Sequence, residues 1–135
     1  MKRYVVDKAS RILYVKKDSI VDKHLRFEGR VRAGLFVSFW GDVEAEEVVL
    51  SPGCFVRGEI RCKNAVIGPK CRFSKVMAEN KVVVFPKSVG NFVEAKEVLL
   101  KEGCFVGKVK ADLIIVDGKA VVKELEGGRI IALKE

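Results

Sequence analysis

A pattern of about 17 residues recurs along most of this chain, and short internal repeats of this kind are typical of solenoids, in which each repeat packs only on its neighbours. The segment VVLSPGCFVRGEIRCK, residues 48 to 63, returns as VLLKEGCFVGKVKAD at residues 98 to 112. Three prolines recur at equal intervals, namely Pro52, Pro69 and Pro86. A Gly-x-Val-x-Ala pattern recurs as well, as GRVRA at 29, GDVEA at 41, GEIRC at 58 and GKVKA at 107. The repeat therefore restricts the folds that the chain can adopt.

Each repeat consists of short bursts in which apolar residues alternate with polar ones. One repeat contains the alternating pairs Val43 and Ala45, Val48 and Leu50, Cys54 and Val56, and Ile60 and Cys62. This alternation predicts short strands with one buried face, and the intervening Gly and Pro residues predict turns. We therefore predict an all-β fold, a single-stranded parallel β-helix with about five to six rungs of ~17 residues stacked ~4.8 Å apart. The general preference of parallel crossovers favours a right-handed helix.

The repeat divides the chain into a basic N-terminal segment at 1–28, a β-helix repeat domain at 29–125, and a C-terminal turn and capping strand at 126–135. The net charge is +8, and residues 1 to 34 carry 10 basic and 4 acidic side chains. Candidate contacts for anionic lipid or nucleic acid are Lys2, Arg3, Lys8, Arg11, Lys16 and Lys17. Such contacts would be independent of sequence and would weaken with salt. Alternatively, these charges only solubilise two cap strands.

The four cysteines fall on positions where the repeat calls for a small inward-facing residue. Cys54, Cys71 and Cys104 share one position, and Cys62 replaces the alanine of Gly-x-Val-x-Ala. Unpaired cysteine fills such positions well, so we expect packing. A metal site is disfavoured because no C-x-x-C spacing occurs. A disulfide is disfavoured in an intracellular protein, although thermophiles are an exception and the lack of Thr and Gln here is typical of a thermophile.

Catalytic chemistry has few candidate residues. His24 is the only histidine and precedes the clear repeats, so a solvated loop position is favoured over a hexapeptide-type transferase site, which stays a disfavoured alternative. The pattern of the carboxylates Asp42, Glu44, Glu46 and Glu47 indicates a solvated surface. Phosphate-binding loops, dinucleotide fingerprints and nucleophile elbows are missing from the sequence. We expect no enzyme activity, no cofactor, no metal and no small-molecule substrate.

Two apolar groups near the ends of the repeat are candidates for self-association, because an abruptly ending β-helix exposes unpaired backbone. They are Leu35, Phe36, Phe39 and Trp40 upstream, and Ile130, Ile131 and Leu133 downstream. Phe55 and Phe105 share one outward position, which marks either a partner surface or a site covered by the N-terminal segment. The longest near-apolar run, AGLFVSFW at 33–40, is too short to span a bilayer, and no secretory signal is visible. A cytoplasmic location is expected, with membrane association left open.

The recurring sequence GDVEAEEVVLSPGCFVRGEIRCKNAVIGPKCRFSKVMAENKVVV resembles the bactofilins, a family of polymer-forming cytoskeletal β-helix proteins. Gly53-Cys54-Phe55-Val56 and Gly103-Cys104-Phe105-Val106 stand at the Gly-Ala-x-Val step of the family's rung. The resemblance covers residues 29 to 125 and implies a three-faced, right-handed β-helix without a cofactor that polymerises end to end. Where family members carry flexible tails and a short membrane-attachment segment, this chain has two strand-like pieces, RYVVD and RILYVKK.

These observations predict a non-enzymatic scaffold that self-assembles through its terminal rungs into homo-oligomers or filaments. The alternative is a binding module whose basic N-terminal segment contacts anionic lipid or nucleic acid, with nucleic acid the less favoured partner. A hexapeptide-type β-helix transferase is the least favoured alternative, because His24 lies outside the repeats.

Overall fold

The computed structural model describes residues 3–133, and these contain strands and turns with no helix, which confirms the all-β prediction. Thirteen strands belong to one sheet. In chain order they are β1 (Tyr4–Asp7), β2 (Ile12–Val15), β3 (Ile20–Val21), β4 (Leu25–Arg26), β5 (Arg30–Ala33), β6 (Ser38–Phe39), β7 (Val43–Glu44), β8 (Glu47–Leu50), β9 (Phe55–Ile67), β10 (Arg72–Val84), β11 (Val89–Leu100), β12 (Phe105–Asp117) and β13 (Val121–Leu133).

The strands from β2 onward form a parallel β-solenoid, as the repeat predicts. Ile12 pairs with Arg30, Arg30 with Glu47, and Leu113 with Arg129, so the coils become slightly shorter along the stack. The solenoid has about seven turns, which is more than the five to six that the sequence predicts. The difference arises because β2, β3 and β4 already pair in parallel with the following coil, although they precede the recognisable repeat. Right-handedness stays a prediction.

Each coil presents three faces, which we call A, B and C. Face A consists of β2, β5 and β8 and of residues 64–67, 81–84, 97–100, 113–116 and 129–133. Face B consists of β3 and β6 and of residues 55–56, 72–73, 89–90, 105–106 and 121–122. Face C consists of β4 and β7 and of residues 60–62, 76–78, 93–95, 109–111 and 125–127. From β9 onward one strand passes from face B through C to A, and only the A–B corner is a separate turn.

The core is a stack of inward-facing side chains, one or two from each face of every coil. In the coil around β9 the predicted inward residues are buried, namely Val43, Val48, Leu50, Cys54, Val56, Ile60 and Cys62, while Ala45 is partly buried. Val and Ile dominate because β-branched side chains pack well on a pleated surface. The alternation that the sequence shows is therefore the alternation of inward and outward positions.

The N-terminal end of the stack is covered by β1. This strand pairs antiparallel with β2 and places Tyr4 and Val6 opposite the inward-facing Val15 and Leu13. The Arg3 guanidinium adds a hydrogen bond to the Ile20 carbonyl oxygen, at 2.6 Å, on the edge of face B. Leu13, Val15 and Val21 are consequently buried even though they belong to the first coil.

The C-terminal end has no comparable cover among residues 3–133. Gly127 and Gly128, where the sequence predicts a turn, lie inside β13, and Gly127 pairs with Ala111 of β12. The chain therefore bends from face C to face A here, as in the earlier coils, without leaving the ladder. Residues 129–133 continue face A in parallel with β12.

Candidate functional site

Apolar side chains that should be internal are exposed at the C-terminal end of the solenoid. Val109 and Ile114 of β12 are fully buried, but Leu125 and Ile130, which occupy the same columns one coil later, are 42% and 52% exposed. Their exposure follows from position, since no further coil among the described residues packs on β13. We call Leu125, Ile130 and the partly buried Val122 the end cluster.

The backbone of β13 gives this end a second property that suits association. β13 pairs with β12 along one edge, and no strand among residues 3–133 pairs with its other edge. An unpaired edge of this kind is a template for another strand. The end of the solenoid thus combines free backbone donors and acceptors with an apolar centre.

The two predicted self-association groups occupy different parts of the molecule. Ile130 and Leu133 lie at the exposed end, and Ile131 is partly buried opposite Ile115. Leu35, Phe36, Phe39 and Trp40 lie in the second coil rather than at an end, because β2, β3 and β4 precede them. Phe39 is 1% exposed and belongs to the core, whereas the other three are exposed on the side of the solenoid.

The predicted basic segment is largely folded into the first coil. Arg3 forms an ion pair with Asp22, and Arg11 forms one with Glu46 at 3.1 Å. Lys8, Lys16 and Lys17 are exposed, and the Lys16 amide nitrogen donates a hydrogen bond to the Arg3 carbonyl oxygen. Lys2 lies outside the described residues. The structure therefore does not present these side chains as one continuous arm.

Phe55 and Phe105 both remain exposed on face B. The described N-terminal strand β1 pairs with β2 and leaves Phe55 exposed. The Lys123 ammonium lies 5.6 Å from the centre of the Phe105 ring. The geometry therefore leaves both rings available to a partner.

All four cysteines are buried free thiols, as the repeat predicts for inward positions. Three of them form a column at the A–B corner together with Ser88, which was not predicted from the sequence. Each side chain in this column donates to a carbonyl oxygen of the preceding turn: Cys54 to Gly34, Cys71 to Ser51, Ser88 to Gly68 and Cys104 to Phe85. Four successive coils thus place a small hydrogen-bond donor here, whereas Val37, one coil before Cys54, fills the same column without one.

The environment raises the pKa of three of these thiols, whereas the hydrogen bond with Cys71 lowers the pKa of Cys54. Burial raises the pKa of Cys62 to about 12, and nearby Glu47 and Glu79 act in the same direction. Contact with the Cys54 thiol, together with burial, raises the pKa of Cys71, and burial raises that of Cys104. Because the thiolate is the nucleophile and metal ligand, Cys62, Cys71 and Cys104 are poorly suited to either role.

A groove of about 1170 Å³ follows the corner between faces C and A. Small residues form its floor, including Ala45, Cys62, Ala78, Ala95 and Ala111, and charges of both signs line its rims, including Glu44, Arg61, Glu94 and Lys110.

Within residues 3–133 no group of three or more His, Cys, Asp or Glu side chains is placed to hold a metal ion. The same range contains no helix that is long and apolar enough to cross a membrane.

His24 lies at the corner between faces B and C, where its Nδ1 atom accepts a hydrogen bond from the Asp42 amide nitrogen at 2.9 Å. The side chain is exposed, and this contact links the first coil to the second.

No protein-family model, curated protein or solved structure matched the chain.

Proposed function

We propose that this protein is a non-enzymatic structural scaffold that self-associates end to end through the C-terminal end of its solenoid. The observation that carries the proposal is the exposure of Leu125 and Ile130, whose counterparts Val109 and Ile114 are completely buried in the preceding coil. A second copy is a suitable cover because its own end has the same apolar centre and the same free strand edge. The proposal agrees with the resemblance to bactofilins, which implies membership of a polymer-forming family.

Burial at this end is expected to supply useful association energy. Complete burial of a Leu or Ile side chain is worth about 1.5–3 kcal/mol. Leu125 and Ile130 are each close to half exposed, so covering them contributes on the order of 1 kcal/mol per side chain. The same residues are buried on both partners in a two-fold contact, which doubles the gain. Hydrogen bonds along the two β13 edges add to it.

The difference between the two ends favours a pair over a filament. At the C-terminal end the inward-facing Leu125 and Ile130 are exposed, whereas at the N-terminal end Leu13 and Val15 are buried beside β1, whose own Val5 and Val6 are exposed. A filament needs both ends to associate, and a two-fold contact between C-terminal ends uses only one end of each chain. We therefore propose a dimer joined through its C-terminal ends as the basic assembly.

Charges introduced into the end cluster test this proposal. We expect sedimentation velocity to show a dimer for the native chain and a monomer for the Leu125→Lys and Ile130→Lys variants, because an ammonium group cannot be buried without a partner. Val121→Lys is the matched control, since Val121 lies in the same coil but is opposite the outward-facing Phe105. This variant should remain dimeric.

Two results would contradict the proposal in different ways. A native chain that stays monomeric at high concentration would remove self-association altogether. Filaments in electron micrographs would retain self-association but show that the N-terminal end also takes part. Equal loss of the dimer in Val121→Lys and Leu125→Lys would place the contact elsewhere on the last coil.

A further inference from the structure

Face B and the adjoining A–B corner carry basic residues without acidic ones in the middle of the solenoid. The relevant stretches are residues 34–40, 51–58, 68–74 and 85–91, which belong to four successive coils. None of these stretches contains Asp or Glu, and together they contain Arg57, Lys70, Arg72 and Lys87. All four basic side chains are exposed.

On the other two faces, many charges are paired between coils. On face A, Arg30 pairs with Glu47 at 2.6 Å and Lys81 with Glu97 at 3.0 Å. Face C has the same arrangement, for example between Arg26 and Glu44 at 3.0 Å. Across residues 3–133, none of Arg57, Lys70, Arg72 and Lys87 has an ion-pair partner. This side of the molecule therefore presents a set of basic side chains with no acidic residue in the same stretches.

Exposed apolar side chains accompany this charge. Leu35, Phe36, Trp40 and Phe55 lie in the second and third coils on the same side of the solenoid, and the Phe36 side chain is 60% exposed. Phe36 adopts a left-handed backbone conformation with φ of 56°, at the corner where the chain turns into face B. We call these four residues, together with Arg57, Lys70, Arg72 and Lys87, the basic face.

We propose that the basic face docks on the surface of an anionic phospholipid bilayer. Lys and Arg side chains near such a surface are attracted by its negative potential, and Trp and Phe side chains partition into the headgroup region. The two kinds of side chain are combined here on one side of a rigid solenoid, so they reach the bilayer together. This inference goes beyond end-to-end association, because the basic face lies on the side and leaves the end cluster free.

The chemistry of the face favours lipid over single-stranded nucleic acid. Proteins that bind single strands combine a basic groove with aromatic platforms placed along it. The groove of this molecule lies at the opposite corner and has charges of both signs. On the basic face the exposed apolar groups cluster in two coils and include the aliphatic Leu35, which offers no stacking surface.

Trp40 makes the proposal directly measurable, because it is the chain's only tryptophan. The full-length protein is mixed with phosphatidylcholine vesicles, or with vesicles of phosphatidylcholine and phosphatidylserine in equal amounts. We expect a blue shift of Trp40 emission and cosedimentation only with the phosphatidylserine vesicles, both decreasing as salt is raised. The Arg57→Glu/Arg72→Glu variant should bind at least about 25-fold more weakly, since each basic residue contributes roughly a factor of five.

The matched control is Lys63→Glu/Lys96→Glu. It makes the same change in net charge with two exposed lysines at the corner between faces C and A. This variant should lose much less affinity, while circular dichroism checks that both variants are folded. Equal weakening of the two variants would show a response to net charge alone and overturn the assignment of the face. Failure of the native protein to bind the vesicles, or tighter binding to a single-stranded oligonucleotide at the same salt, would overturn the lipid proposal.

Discussion

The Ser88 hydroxyl group is expected to contribute strongly to the stability of the solenoid. Ser88 is the buried polar residue of the core, with 0% exposure. Its Oγ atom donates to the Gly68 carbonyl oxygen at 2.8 Å and accepts a hydrogen bond from the Cys71 amide nitrogen at 3.2 Å. The same hydroxyl therefore joins two backbone groups of the preceding turn, as a donor to one and an acceptor from the other, whereas a thiol is only a weak donor.

Replacing Ser88 by alanine leaves both backbone groups without this partner in a buried environment. Each such group costs about 1–3 kcal/mol, and the 3.2 Å contact is the weaker of the two. We therefore expect the Ser88→Ala variant to lose about 2–4 kcal/mol of unfolding free energy. Because no large volume is removed, little of this loss comes from a cavity.

Urea unfolding followed by circular dichroism measures the effect. The midpoint of Ser88→Ala should fall with little change in the slope, because the surface exposed on unfolding is nearly the same. Ser88→Cys is the matched control, since cysteine occupies this column in three other coils and retains a donor. It should be less destabilised than Ser88→Ala. A loss below about 0.5 kcal/mol for Ser88→Ala, or equal losses for the two variants, would refute the reasoning.

Two further buried positions give measurable outcomes. A methyl group on Gly90 would overlap the Phe73 ring, so Gly90→Ala should lose about 1–3 kcal/mol of unfolding free energy. In a double-mutant cycle based on urea midpoints, the Phe73→Val/Gly90→Val variant should lose less unfolding free energy than the sum of its two single changes. Because burial raises the pKa of Cys62 to about 12, its thiol should react with Ellman's reagent at pH 8 about a thousandfold more slowly than a free cysteine. The folded state also binds more protons between the ordinary Cys62 pKa of 9.0 and about 12, so stability should fall as pH rises through this window, and less so in Cys62→Ala.

The sequence contains enough information to predict the coil but not where the stack begins. Val48, Leu50, Cys54 and Val56 alternate with polar residues and are buried, because every coil needs the same inward pattern to pack on its neighbours. The first coil, residues 12–26, lacks the Gly-x-Val-x-Ala pattern, so its sequence indicates a basic segment of cap strands or a tail and no coil of the stack. Its A–B corner has Asp18 with a positive φ, but Phe36, Lys70 and Lys87 adopt the same conformation in later coils, so this corner does not distinguish the first coil.

The thiol column shows a different limit of sequence reasoning. The prediction that Cys54, Cys71 and Cys104 are inward and small is confirmed, since the required volume repeats along the column. The hydrogen bonds that these side chains donate do not follow from volume, because an unpaired thiol also fills an apolar position well. Ser88, one repeat after Cys71, is the available signal, because a buried serine at a cysteine position indicates a hydrogen bond.

The surfaces on which both proposals rest are the places where the solenoid departs from its own regularity. Inward positions are buried wherever another coil follows. Leu125 is exposed because no described coil follows β13, and the local sequence around Leu125 does not show this. Outward charges on faces A and C repeat as pairs such as Arg30–Glu47, which shows that the coil geometry readily accommodates acidic partners for basic residues. The lack of such partners for Arg57 and Arg72 is therefore not imposed by the fold. An unneutralised basic face beside exposed Trp40 instead fits selection for contact with an anionic, partly apolar partner.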